Sequence, residues 1–100
     1  MPELTVIWWR DIPAQVVAKA GRRETAKVEL PDRFQEAIDA SAMRAGLIGT
    51  DTYLEEWRRE TRGCGADLEA EAAAEAARLN ESYTDDVLDR LVRQNGKESE

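Results

Sequence analysis

Gln15-Val16-Val17-Ala18-Lys19-Ala20-Gly21-Arg22-Arg23-Glu24-Thr25-Ala26-Lys27-Val28-Glu29-Leu30 decides the fold. Its second half alternates, with Ala26, Val28 and Leu30 on one side and Thr25, Lys27 and Glu29 on the other, which is the two-residue period of a half-buried strand. Its first half admits two readings. Asp11 as cap, Pro13 in the first turn and Gly21 as terminator would make a short helix over Ala14–Ala20. The paired valines and the glycine-led turn favour a hairpin instead, strand to Lys19, turn at Gly21-Arg22-Arg23, strand from Glu24.

Working outward, Leu4-Thr5-Val6-Ile7-Trp8-Trp9 is β-branched and aromatic without a helix breaker, so it reads as a further strand with apolar side chains on both faces. A domain this small is expected to cover only one face, which leaves Trp8 or Trp9 for a partner. Trp57 is the third tryptophan, and large aromatics anchor cores first and interfaces second. Trp8, Trp9 and Trp57 are therefore the expected partner-binding residues.

From Pro31 the spacing becomes helical. Phe34, Ile38, Ala42 and Ala45 form one apolar stripe, closed by Gly46. Thr52 and Glu55 form a capping box, and the helix expected after them carries Tyr53, Leu54 and Trp57, with Arg58, Arg59 and Arg62 near its end matching the dipole. Asp67 caps a third helix whose stripe is Leu68, Ala72, Ala76, Leu79 and Tyr83, with Glu75 placed off it. Thr84 caps a fourth, burying Val87, Leu88, Leu91 and Val92 and ending at Asn95-Gly96. The expected architecture is one α+β domain over residues 1–96: a small antiparallel sheet from residues 3–30, packed on one face by about four helices from residues 31–96. Residues 97–100 read as a frayed polar tail.

Composition narrows function by exclusion. There is no histidine and a single cysteine, Cys64. Most metal ligands and most nucleophile–base pairs are thereby missing, and Glu55/Glu56 and Asp85/Asp86 are neighbours in sequence rather than carboxylates facing across a cleft. No metal, no cofactor and no catalytic residue is expected. Cys64, between Gly63 and Gly65, offers a thiol redox switch as the weakest alternative. The net charge of −7 is uneven. The five basic residues of the first 31 positions, Arg10, Lys19, Arg22, Arg23 and Lys27, outnumber four acidic ones, while the rest is strongly acidic. That balance argues against nucleic acid as partner. Arg10, Arg22 and Arg23 are the expected anion-binding residues, since guanidinium forks suit phosphate and carboxylate. The longest apolar run, Val6–Trp9, is too short to span a bilayer, and no secretory signal is recognisable, so a cytoplasmic location with no membrane partner is expected.

Trp9-Arg10-Asp11-Ile12-Pro13-Ala14-Gln15-Val16, Gly21-Arg22-Arg23, Val28-Glu29-Leu30-Pro31-Asp32-Arg33-Phe34-Gln35 with Ala37-Ile38-Asp39, Ala42-Met43-Arg44-Ala45-Gly46 and Tyr53-Leu54-Glu55-Glu56-Trp57 together resemble the small bacterial proteins of the "virulence factor" domain family. The resemblance brings no catalytic residues with it. It implies an accessory component of the bacterial cytoplasm, acting through a protein partner such as a methyl-transfer or folate enzyme of folate- and corrinoid-linked one-carbon metabolism. The alternative is a small-anion or cofactor-binding subunit using the basic turn at Arg22-Arg23.

Overall fold

The computed structural model describes residues 2–98. Three strands open the chain: β1 (Glu3–Trp9), β2 (Ile12–Ala20) and β3 (Glu24–Glu29). The hairpin reading of residues 15–30 therefore holds. Pro13 is tolerated because β2 carries a bulge there: Ile7 pairs with Gln15 and Trp8 with Pro13, leaving Ala14 unpaired, and a bulge is one of the few sheet sites that needs no N–H from proline.

Helices α1 (Asp32–Arg44) and α2 (Asp51–Glu55) follow, then β4 (Trp57–Gly63), α3 (Leu68–Ser82) and α4 (Asp85–Arg93). The four strands form one antiparallel sheet in the order β3-β2-β1-β4. The fold is α+β with four helices, as expected, but the sheet does not stop at residue 30. Residues 57–63, expected to be helix, are its fourth strand. Thr50 rather than Thr52 caps α2, accepting from the Tyr53 N–H, and the helix lasts five residues. Seven consecutive pairs, from Glu3↔Gly63 to Trp9↔Trp57, explain the switch: the free edge of β1 offers a full ladder of backbone partners that an isolated arginine-rich helix end lacks.

The core lies between the sheet and the helical layer. Leu4 and Val6 of β1 and Val16 and Ala18 of β2 share one core with Leu68, Ala72, Ala76 and Leu79 of α3, which lies over β2 and β3, and with Phe34, Ile38 and Ala42 of α1 and Leu88 and Leu91 of α4, two helices that pack on each other. The capping residues Asp67 and Thr84 accept from Ala70 and Val87 N–H groups as their positions predict. Lys97 and Glu98 are held rather than frayed: the Glu98 N–H donates to Asp11 Oδ2 at 2.6 Å and its carboxylate meets Arg90 at 2.9 Å. Ser99 and Glu100, the rest of the expected tail, lie outside the described residues. No helix of the described residues is long and apolar enough to cross a membrane.

Candidate functional site

Alternation along the strands gives the sheet two chemically different faces. On the α3 side, Leu4, Val6 and Trp8 of β1 stand opposite Arg62, Glu60 and Arg58 of β4. On the other side the register sets out three rows across the sheet: Arg59–Ile7–Gln15–Glu29, Thr61–Thr5–Val17–Lys27 and Gly63–Glu3–Lys19–Thr25. The Thr5 and Thr61 hydroxyls bond each other at 2.9 Å, confirming that they share this face. Ile7 and Val17 are half-buried at its centre, and Lys19, Lys27 and Arg59 are exposed around them.

The end of the sheet at Trp9 is closed. Trp9 is fully buried. Its Nε1 donates to the Tyr53 carbonyl at 2.9 Å, its ring packs on Tyr53, and a Cβ built on Gly96 would come within 2.8 Å of it. Trp9 is thus a core residue rather than one of the expected partner-binding tryptophans, which leaves Trp8 as the strand tryptophan still partly accessible. The helical layer is larger than the strand alone suggests, because α2 and the turn after α4 both reach this end. Trp8 points toward the helical layer, edge-on to Tyr83 with Arg58 stacked on its ring, and is only partly covered. Trp57, directly opposite Trp9, is half-buried against Tyr53.

Arg10 is also structural. Its backbone is left-handed, at φ 53°, and its side chain is held at three points, although Nε is buried without a partner: Nη1 donates to the Asn95 carbonyl at 2.7 Å, Nη2 meets Glu56 at 3.1 Å, and the guanidinium lies over Trp9. With its side chain only 10% exposed, Arg10 belongs to the core rather than to a binding surface. It also cannot join Arg22 and Arg23. Arg10 lies in the β1–β2 turn and the other two in the β2–β3 turn, so the nine-residue β2 puts them ~30 Å apart at opposite ends of the sheet. The expected anion-binding trio is not brought together. Arg22 and Arg23 remain exposed.

A cleft of about 450 Å³ opens beside Trp8, between Tyr83, Val87 and the chain around Glu98. Its cations are already neutralised from within: Arg58 meets Asp11 at 3.3 Å and Glu60 at 3.1 Å, and Arg90 meets Glu98. Burial, reinforced by Glu98 and Asp11, raises the Tyr83 phenol above its ordinary value, which keeps it neutral. Nearby, Glu75 is buried on the stripe of α3 rather than off it. A hydrogen bond from Arg78 holds its carboxyl below the usual range, burial opposes this, and Arg62 of β4 adds a further contact at 3.3 Å. This triad ties α3 to the edge strand. Cys64 is half-buried and its N–H donates to the Pro2 carbonyl. No cluster that could hold a metal ion is present among the described residues.

One surface feature escaped the sequence reading. Met43, Ile48 and Leu54 are 72%, 55% and 66% exposed, the large hydrophobic residues most open to solvent among those described, and all fall between the end of α1 and the end of α2. Helical periodicity assigns Leu54 to a buried side, but α2 is too short to bury one, and its buried set is empty.

Comparison with known proteins gives one result. The family model described as "Virulence factor" matches residues 7–92, from the middle of β1 almost to the end of α4. No curated protein and no solved structure matches the chain.

Proposed function

Starting from a chain that belongs to the virulence factor family, we propose that it is a non-catalytic accessory protein of the bacterial cytoplasm that works by binding another protein. The observation that supports this reading is the exposed apolar stretch Met43–Ile48–Leu54. Three large apolar side chains left open within the one segment 43–54, which also carries Tyr53, are the composition of an interface core rather than of a solvated connection. The titratable groups with displaced values fit the same reading. Glu75 is engaged by two arginines that brace the fold, and the Tyr53 and Tyr83 phenols are held neutral by burial. The finer part of the proposal, a partner in folate- or corrinoid-linked one-carbon metabolism, rests on the family resemblance of the sequence.

The test is affinity capture of the tagged protein from its native host, with captured proteins identified by mass spectrometry and the complex rebuilt from purified components. The I48D/L54D variant should lose at least about tenfold in affinity for the rebuilt partner, the usual loss when charge enters an interface core. Its melting temperature should be unchanged, because both side chains are exposed. A complex indifferent to I48D/L54D, or no native complex at all, overturns the proposal.

A further inference from the structure

The remaining unassigned feature is the face of the sheet turned away from α3. We propose that this face, with Ile7 and Val17 at its centre and Lys19, Lys27 and Arg59 around them, docks an acidic amphipathic helix of the partner protein. This inference rests on the protein-binding reading and names the surface and the partner chemistry that reading leaves open.

Arg10, Arg33, Arg58, Arg62, Arg78 and Arg90 each meet a carboxylate within 3.3 Å. Among the described residues, Lys19, Lys27 and Arg59 meet none, and neither do Arg22 and Arg23 on the turn at the edge of the same sheet; the other cations without an ion pair, Arg44, Arg93 and Lys97, are scattered over the ends of α1 and α4 and the chain after α4. The face carries two carboxylates of its own, Glu3 opposite Lys19 and Glu29 on β3, against Lys19, Lys27, Arg59 and the adjoining Arg22 and Arg23; in a chain of net charge −7 that local excess of positive charge favours an acidic counterpart.

The covered face of the same sheet shows what such a counterpart looks like. There an alanine-rich helix, α3, lies over β2 and β3, shares the core with Leu4, Val6 and Val16, and reaches Arg62 of β4 with the carboxylate of Glu75. The uncovered face repeats the pattern one residue out of phase: Ile7 and Val17 supply the apolar centre, and Arg59 takes the place of Arg62 on the same strand. A helix ~10 Å across fits over three rows of a four-stranded sheet ~15 Å wide. Single-stranded RNA, the other polyanion that binds open sheets, needs rings on which bases stack. The three open rows carry none, since Trp9 and Trp57 lie in the fourth, closed row.

The experiment follows backbone amide resonances of the full chain during titration with a glutamate-rich amphipathic peptide of about 20 residues, long enough to hold a helix. Amides of Thr5, Ile7, Val17, Lys27 and Thr61 should shift. The affinity should fall about tenfold between low and physiological salt, and by a similar factor in K27E/R59E, with the melting temperature of that variant unchanged. Shifts confined to residues 43–54, or peptide binding unaffected by K27E/R59E, overturn the assignment. So does tighter binding of oligouridylate on the same amides. Self-association abolished by K27E/R59E would also overturn it, making a second copy the occupant. With the native partner in hand, equal capture by wild type and K27E/R59E removes the sheet from the interface while leaving the protein-binding reading intact, whereas loss confined to K27E/R59E supports it.

Discussion

Arg58 and Arg59 are neighbours on one strand and meet opposite fates. Arg58 turns toward the helical layer, stacks on Trp8 and meets Asp11 and Glu60, whereas Arg59 turns to the open face, beside Ile7, and meets no carboxylate among the described residues. Val16 and Val17 repeat the contrast with apolar side chains, one fully buried and one half-covered. The difference teaches that in this protein the sheet, not the chain, segregates its chemistry. One face is covered by the helical layer and carries stability; the other leaves its apolar centre uncovered and its cations exposed.

The contrast can be broken hardest at the closed end. Trp9→Ala should cost about 3–5 kcal/mol, because it empties a fully enclosed site and abandons a hydrogen bond to Tyr53. Chemical denaturation measures it, and a loss under about 1 kcal/mol would show that the end row is not core. The valine pair is the sharper comparison. Val16→Ala should destabilise by about 2 kcal/mol, the transfer value of two buried methyl groups with a small cavity. Val17→Ala should stay within about 0.5 kcal/mol, as an uncovered position does. Equal losses at the two positions would mean that the second face is as well packed as the first.

The smallest effect is electrostatic. Since Glu75 has a lower pKa folded than unfolded, it binds fewer protons in the native state. Its contribution is present above the ordinary glutamate value and disappears as pH falls through the folded value. Its partners Arg62 and Arg78 are more than half exposed, so screening limits the gain to about 1 kcal/mol. Glu75→Gln should therefore remove about that much at neutral pH and nothing in strong acid, where wild type and variant should converge. Parallel stability curves down to the acid limit would show that the triad adds nothing.

Much of the fold was legible because it rests on local signals. Asp67 and Thr84 stand where a cap must stand, and the stripe Leu68–Ala72–Ala76–Leu79 needs only a period of 3.6 to be seen. The strand at 57–63 gave no such signal. Trp57-Arg58-Arg59-Glu60-Thr61-Arg62 contains no breaker and no clean alternation of apolar residues, and its arginines suit a helix end as well as an edge strand that must avoid further pairing. Glu75 misled for a related reason. A carboxylate on a helical stripe reads as solvated until a second element brings the arginine that makes its burial tolerable, here Arg62 from β4. Arg10 looked like a free cation because its partners, Glu56 and Asn95, are distant in sequence.

What the sequence determined by itself was the class of the fold, α+β, with its hairpin, its helix caps and its main buried stripes, all set by interactions within a few residues of each other. It also determined the membership signalled by residues 7–92. Only the tertiary structure decided which face of the sheet would be covered, that Trp9 would be sealed and Trp8 left at a cleft, and which arginines would find carboxylates. Those outcomes depend on pairing across long sequence separations, where neither propensity nor period carries information and the geometry of the assembled sheet alone selects the partner.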